Sequence, residues 1–375
     1  MEMRNKVKKS RNPNFDILRS LAMLSVVMVH YIKAIGSGLC FDLTTSAGTF
    51  NYIASMILFI MFMTAVPCFV MISGYFMINK TEFKIRRFES TWLKSFFVVA
   101  LIYIYIYVFH GHNAQLLKDV ASIPIMGFKH SVSLWFVDYY LGLVLVSPFL
   151  AMCVQQLTKR QYQLLLVVLL FLSFTIFGKF GTAFGDVNKG YSLQYFVFMF
   201  LLGGYIRLYN PFADERKDII YFSIFIFLQL LVQLIHALSH GFGSYNQVNI
   251  VYSGLEIFIS FFVFLWFKNH KFTSKLWKPL IVVAPYTFAV YLFHDNRFIR
   301  DFLWHQDFQP SLLTNSWSLI PMMFVVCIMV FIFGCLIDYL RSLLVRLIHG
   351  DELLDKINKS LYNAFLSRYE SLKKK

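Results

Sequence analysis

Long apolar segments recur along the whole chain and alternate with short polar stretches. A helix of about 20 apolar residues crosses the hydrocarbon core of a bilayer. By that measure the sequence predicts ten transmembrane helices, at 15–35, 52–78, 92–110, 133–153, 161–178, 191–209, 218–238, 250–268, 279–295 and 316–340. Pro285 interrupts the ninth segment and makes it the least regular. The pattern is typical of an all-α polytopic membrane protein.

Basic residues are distributed unequally between the two sides of this layout. Of the 35 Lys and Arg residues, 27 lie before the first segment, after an even-numbered segment or in the C-terminal tail, 7 lie after odd-numbered segments, and Arg19 lies within the first segment. Because Lys and Arg accumulate in cytoplasmic loops, both termini are predicted to be cytoplasmic. The basic residues 1–14 resemble the start of a signal peptide. The long segment that follows contains Arg19 and has no small-residue cleavage site, which favours a retained first helix.

The layout predicts one membrane domain, residues 1–340, followed by a tail, residues 341–375. In the tail, Leu354, Ile357, Leu361 and Phe365 recur near helical spacing among basic residues. This predicts a basic amphipathic helix on lipids of the inner leaflet, with a partly disordered tail as the alternative. The sequence shows no internal repeat, which weakens an interpretation as an inverted-repeat transporter.

Composition narrows the class further. The chain is 58% hydrophobic with a mean hydropathy of +0.60, which excludes a soluble globular protein. Its net charge of +15 follows from the cytoplasmic loops, and no soluble basic module is present, so no nucleic-acid partner is predicted. The five cysteines have neither paired nor metal-type spacing, and the histidines are scattered. We therefore predict no disulfide framework and no metal site.

Ionisable residues in the first apolar segment are the strongest indication of a site. Asp16, Arg19 and His30 lie where charge is costly, so they are expected to face a protein interior or a watery cavity. Eleven steps of about 100° return to within roughly 20° of the starting direction and advance about 16 Å. Arg19 and His30 therefore share one face of the helix. We expect Asp16 to hold Arg19 in place.

Further candidates lie at both membrane surfaces and inside one other segment. Lys84, Arg86 and Arg87 form a basic cluster just inside the membrane; it either signals topology and binds lipid headgroups or anchors a phosphorylated ligand. Glu256 lies well inside the eighth segment and requires a partner, and Asp138 is a weaker case. The remaining candidates, each also explicable as an interfacial anchor, are His130, Trp135 and His294. Glycines in ISGYFM, residues 72–77, and LLGGYI, residues 201–206, predict close helix packing.

Five sequence blocks, in order, resemble integral-membrane acyltransferase family 3. NFDILRSLAMLSVVMVH, residues 14–30, resembles the family signature of Arg, ten residues and His. The others are PCFVMISGYFM at 67–77, which contains Tyr75, KIRRF at 84–88, HSVSLWFVDYYLGLVLVSP at 130–148, and YTFAVYLFH at 286–294. KGYSLQYFVFMFLLGGYIRLY, residues 189–209, is similar to members that modify bacterial surface polysaccharides.

The resemblance implies transfer of an acyl group, most often acetyl, from cytosolic acyl-CoA to a sugar hydroxyl. The donor is then a co-substrate and no cofactor is permanently bound. His30 would act as general base or accept the acyl group itself, and Arg19 would orient the donor phosphate or support the cavity. Arg86, Arg87 and Lys84 would hold the CoA phosphates, with the choice between the adjacent arginines open.

The acceptor implied by the resemblance is a surface glycan or a lipid-linked saccharide. Its side of the cavity would comprise Asp16, Tyr75, His130, Trp135, Glu256 and His294. The expected location is the bacterial cytoplasmic membrane, and a homo-oligomer stays an open alternative to a monomer. The rival hypothesis is a proton-coupled transporter or flippase, because intramembrane Arg, His and Glu serve a carrier equally well. A structural membrane subunit is a third alternative.

Overall fold

The computed structural model describes residues 12–36, 40–109, 111, 113–173, 192–211, 214–240, 254–350, 352, 355–356 and 360. This part of the chain is 85% helical and has no strand. The predicted all-α fold is therefore confirmed. Residues 1–11 and most of the predicted amphipathic tail, including 361–375, lie outside the described residues.

The longer helices follow the apolar segments of the sequence. In chain order they are α1 (Pro13–Ile35), α2 (Ser46–Phe62), α3 (Ala65–Met77), α4 (Ile85–Phe109), α5 (Ala114–Val132), α6 (Trp135–Gln155), α7 (Lys159–Ser173), α8 (Leu193–Tyr209), α9 (Glu215–His240), α10 (Leu255–Asn269), α11 (Lys278–Val283), α12 (Phe288–His294), α13 (Arg297–Asp301) and α14 (Leu319–Leu347). Each of the ten predicted segments overlaps with one or more of these helices.

Within the described residues, six helices are long and apolar enough to cross a membrane. They are α1, the α2–α3 pair taken as Ser46–Met77, α4, α6, α9 and α14. The bent pair Lys275–Tyr286 and Phe288–His294 adds a seventh if it forms one span. Helices α7, α8 and α10 coincide with predicted segments but have only 15, 17 and 15 residues. The bundle is that of a multi-pass membrane protein, and ten crossings stay a prediction.

Two predicted spans are broken in the middle rather than continuous. Helices α2 and α3 are separated at Met63 and Thr64. Pro67 lacks the N–H that would bond to the Met63 carbonyl, and its ring crowds that carbonyl, which explains the break. The ninth segment bends by 67° at Thr287, two residues after Pro285. Both breaks border the cavities described below.

Helix α5 lies between the third and fourth predicted segments, where no helix is predicted from the sequence. Lys118, Asp119 and Pro124 interrupt its apolar positions and hide the helical pattern. Near its end Gly127 adopts a positive φ of 77°, and the backbone N–H groups of the next two residues, Phe128 and Lys129, donate to the Asp138 carboxylate at 3.0 and 2.8 Å. Asp138 thus has a structural role as a backbone cap.

Helix α1 lies at the centre of the bundle. It packs against α2, α3, α10, α11, α12 and α14, and 72% of its apolar window is buried, against 12% for α9. Helix α1 begins where Phe15 contacts Tyr75 and Phe76 near the end of α3, beside the start of α4. We call this the basic end, because α4 begins there with Arg86 and Arg87.

Helices α3 and α8 cross at backbone contact distance. A Cβ atom added to Gly74 would lie 1.9 Å from the carbonyl oxygen of Phe200, and one added to Gly203 would lie 2.1 Å from that of Met71. Only glycine permits this approach, in which small residues replace side-chain packing within a membrane. The predicted close packing of the two glycine motifs is confirmed.

Candidate active site

His30 lines a cavity inside the bundle, which we call the His30 cavity. It has a volume of about 80 Å³ and is lined from α1, the α2–α3 break, α6, α8, α10 and α12. Trp135 and Glu256, two further residues predicted from the sequence, line the same cavity. The imidazole therefore faces the protein interior rather than lipid.

A second histidine fixes the orientation of the His30 ring. The Nδ1 of His30 lies 2.9 Å from Nε2 of His294, whose own Nδ1 lies 2.6 Å from the Val290 carbonyl oxygen. A carbonyl only accepts, so His294 Nδ1 carries a proton. In a neutral His294 the Nε2 atom then accepts from Nδ1–H of His30. This tautomer leaves a lone pair on Nε2, at the opposite edge of the His30 ring.

A buried carboxylate lies beside this histidine pair. The Oδ1 atom of Asp295, which follows directly after α12, is 3.6 Å from Nδ1 of His30 and 3.5 Å from the Arg300 guanidinium. The Asp295 side chain is 4% exposed. A carboxylate at this position stabilises positive charge that develops on His30 when its ring takes up a proton. This arrangement of His30, His294 and Asp295 would allow His30 to act as a general base.

Three other polar side chains line the His30 cavity. Glu256 projects from the first turn of α10, and Lys33 lies one turn beyond His30 on α1. The Tyr195 hydroxyl is buried and has no hydrogen-bond partner among the described residues. A buried hydroxyl of this kind is suited to hydrogen bonding with a ligand in the cavity.

Arg19 lines a second cavity, of about 300 Å³, which we call the Arg19 cavity. Its guanidinium donates to the Asp16 carboxylate at 2.8 Å, and that carboxylate is buried. Ser73, Thr91 and Lys94 supply further polar atoms to the lining. The cavity thus presents two cations and several hydroxyl groups, which suits an anionic ligand.

Lys94 is held in this cavity by a buried carboxylate. Its Nζ donates to Asp338 Oδ2 at 2.5 Å, and the Arg341 Nε donates to Asp338 Oδ1 at 2.6 Å. Asp338 is 1% exposed, whereas Lys94 is 17% exposed. One carboxylate shared by two cations leaves a net positive charge at the wall of the Arg19 cavity.

The predicted basic cluster divides between different surfaces. Arg86 pairs with Asp355 beyond α14, and Lys84 pairs with Glu82 at 2.7 Å while staying 67% exposed. Arg87 lies one helical turn before Thr91 and two turns before Lys94, so it shares their face of α4. Arg86 lies one turn before Ser90, which also lines that cavity, but its guanidinium pairs with Asp355, whereas Arg87 lies on the face of both Thr91 and Lys94.

Two other predicted residues lie apart from these cavities in the described part of the chain. His130 is exposed in the last turn of α5. Tyr75 accepts a hydrogen bond from Arg207 at 3.3 Å and packs against Phe15 at the basic end. No group of three His, Cys, Asp or Glu among the described residues is placed to hold a metal ion.

Two cations that line the cavities, Lys33 and Lys94, are not among the site residues predicted from the sequence. Lys33 follows His30 by three residues, so helical spacing alone was a signal that it shares the His30 face. In the sequence, Lys94 contributes to the basic residues that set the topology. Its position seven residues after Arg87, within an apolar segment, is the feature that indicates a place in a cavity.

The bundle carries a buried histidine pair and a cationic cavity along one central helix, and the family model that matches the chain makes it a membrane acyltransferase. The chain belongs to acyltransferase family 3, since the acyltransferase domain of that family matches residues 12–339. This match confirms the family predicted from the sequence blocks. No curated protein and no solved structure matches the chain significantly.

Proposed function

We propose that the protein is an O-acyltransferase that moves an acyl group, expected to be acetyl, from cytosolic acyl-CoA to a hydroxyl of a bacterial surface polysaccharide or its lipid-linked precursor. The observation that carries this proposal is the His30 ring, oriented by His294 and lining an interior cavity. Family membership supports acyl transfer as the reaction class. The expected location is the bacterial cytoplasmic membrane.

In the proposed reaction His30 is the general base. Its Nε2 takes the proton of the acceptor hydroxyl while the hydroxyl oxygen attacks the thioester carbonyl carbon. The tetrahedral intermediate collapses, the carbon–sulfur bond breaks, and the imidazolium returns the proton to the CoA thiolate. The products are the acyl ester and free CoA. Asp295, 3.6 Å from Nδ1, stabilises the transient imidazolium.

The Arg19 cavity is the proposed donor site. Arg19, braced by Asp16, and Lys94, braced by Asp338, would contact the phosphates of CoA through charge-assisted hydrogen bonds. Arg87 extends the same cationic face toward the basic end. The thioester end of the donor would then lie toward His30, farther along α1.

The acceptor would occupy the His30 cavity. Trp135 offers an aromatic surface for a sugar ring, and Tyr195 and Glu256 offer hydrogen bonds to its hydroxyl groups. Hydroxyl recognition by polar side chains in a largely apolar lining is consistent with a lipid-linked saccharide.

The test is acyl transfer by purified protein in lipid nanodiscs, with acetyl-CoA labelled in the acetyl group and lipid-linked glycans as acceptors. Wild-type protein should release CoA and label the glycan. His30→Ala should lower the rate by about 10²- to 10⁴-fold, the usual contribution of a positioned general base. His305→Ala, an exposed histidine beyond α13, is the matched control and should keep the wild-type rate.

Three outcomes would contradict the proposal. A transporter or flippase would leave the thioester intact at all acceptor concentrations. Stoichiometric release of CoA before acceptor is added would instead indicate that His30 carries the acyl group covalently. Wild-type acyl content of the surface glycan in cells that express only His30→Ala would exclude both catalytic roles of His30.

A further inference from the structure

Three phenylalanine side chains line both cavities in the described part of the chain. They are Phe69 of α3, Phe136 of α6 and Phe288 of α12. Arg19 and Lys94 lie on one side of these rings, and His30 and Glu256 lie on the other. The rings are therefore the wall between the proposed donor site and the proposed acceptor site.

Phe136 lies between the other two rings and contacts both of them. Phe136 lies 6.5 Å from Phe69 and 6.4 Å from Phe288, measured between ring centroids. Phe136 is itself held by a stacked Tyr140 at 5.6 Å and by Phe196 at 5.3 Å. It is nearly buried, whereas Phe69 and Phe288 are only partly buried. The fixed part of the wall is Phe136, and the two flanking rings have room to turn.

The wall also adjoins the charge that would bind the donor. The Lys94 ammonium lies 5.7 Å from the centroid of the Phe288 ring, within cation–π distance. On the far side, the Phe136 backbone N–H donates to the Tyr291 hydroxyl at 3.2 Å, and Tyr291 lines the His30 cavity. The wall is thus tied to the donor site through Lys94 and to the His30 cavity through Tyr291.

We propose that Phe69, Phe136 and Phe288 form an aromatic gate through which the acyl end of the donor must pass to reach His30. This inference rests on the proposed function. A donor whose phosphates stay at Arg19 and Lys94 has to extend its acyl-thioester end between the rings. Interiors are close-packed, so a gap between rings admits a linear chain more readily than one that branches next to the carbonyl. The gate therefore selects acyl groups by cross-section rather than by number of carbon atoms.

The test compares donors of equal carbon number. The specificity constants for butyryl-CoA and isobutyryl-CoA are measured with purified protein and a lipid-linked glycan acceptor. Wild-type protein should prefer the linear donor by about tenfold or more, within the range for a one-carbon shape difference in an apolar site. Phe69→Ala and Phe288→Ala should reduce that preference to about threefold or less. Phe272→Ala removes a partly buried ring at the basic end, outside the lining of both cavities, and should keep the wild-type preference.

Folding is controlled with Phe69→Leu and Phe288→Leu, which retain apolar bulk but lose the flat ring, and with size-exclusion profiles of every variant. An unchanged linear-to-branched ratio in all gate variants that still transfer acetyl would overturn the gate and leave the acyltransferase function intact. A wild-type ratio near one would overturn it without any variant. Failure of wild-type protein to transfer an acyl group from any of the donors would instead refute the proposed function on which the gate depends.

Discussion

The hydrogen bond between His30 and His294 gives the most direct test of the proposed chemistry. In His294→Ala the Nδ1–H of His30 loses the acceptor that lies 2.9 Å away. A buried donor left without its partner costs about 1–3 kcal/mol. The ring recovers part of this by turning, which points the Nε2 lone pair away from the substrate, or by moving its proton to Nε2, which occupies that lone pair.

The expected consequence is a fall in kcat of about 10²- to 10⁴-fold, the contribution of a positioned general base. The KM for acetyl-CoA should change little, because His294 lies outside the lining of the Arg19 cavity among the described residues. His294→Gln is the rescue variant, since its amide oxygen accepts from His30 and its amide nitrogen donates toward Val290. It should recover at least about tenfold of the lost kcat.

The assay is steady-state CoA release with a thiol reagent, with thermal unfolding in detergent as the measure of folding. The reasoning is refuted if His294→Ala folds normally and keeps a kcat within about threefold of wild type. It is also refuted if His294→Ala and His294→Gln lose activity equally while both stay folded, because the hydrogen bond to His30 would then not determine kcat.

Three further predictions concern the donor site, the acceptor side and the helix crossing. Lys94→Gln should raise the KM for acetyl-CoA about 10- to 100-fold with little change in kcat, as expected for loss of a charge-assisted hydrogen bond worth about 1.5–3 kcal/mol. Lys94→Arg keeps the charge and should raise the KM less. An unchanged KM in Lys94→Gln would contradict the assignment of the Arg19 cavity as the donor site. His130→Ala should transfer acetyl at the wild-type rate, because the side chain is exposed and lies outside both cavities. A tenfold loss of rate would show that His130 does belong to the site. Gly203→Ala should destabilise the protein by about 2 kcal/mol or more in detergent unfolding, since the new Cβ meets a backbone oxygen at 2.1 Å. Gly142→Ala, which meets only Leu193 at 3.4 Å, is its control, and equal stability of the two would refute the argument.

The spacing of residues in the sequence is sufficient to predict which side chains share a face of one helix. The shared face of Arg19 and His30 follows from residue spacing, and the structure places each in the lining of a cavity on the path of α1. Glycine spacing was likewise sufficient for the α3–α8 contact, because only a missing side chain lets two backbones meet.

Side-chain contacts between different helices could not be predicted from the sequence. Arg86 and Arg87 are adjacent and chemically identical, yet about 100° of helical rotation sends one toward Asp355 and the other along the face of Lys94. The pairing of His30 with His294 joins residues 264 positions apart, and no local pattern announces it. From the sequence, Asp138 is an intramembrane acid that requires a partner; its partners are backbone N–H groups near the end of α5, a helix that the apolar pattern does not predict.

The glycine crossing of α3 and α8 also bears on how the protein is made. Helix α3 emerges from the ribosome more than a hundred residues before α8. Until α8 arrives, the groove at Gly74 has no backbone to meet and must face lipid or another chain. The helices that precede α8 therefore cannot reach their final packing until α8 has inserted, and insertion of α8 completes the contact with α3.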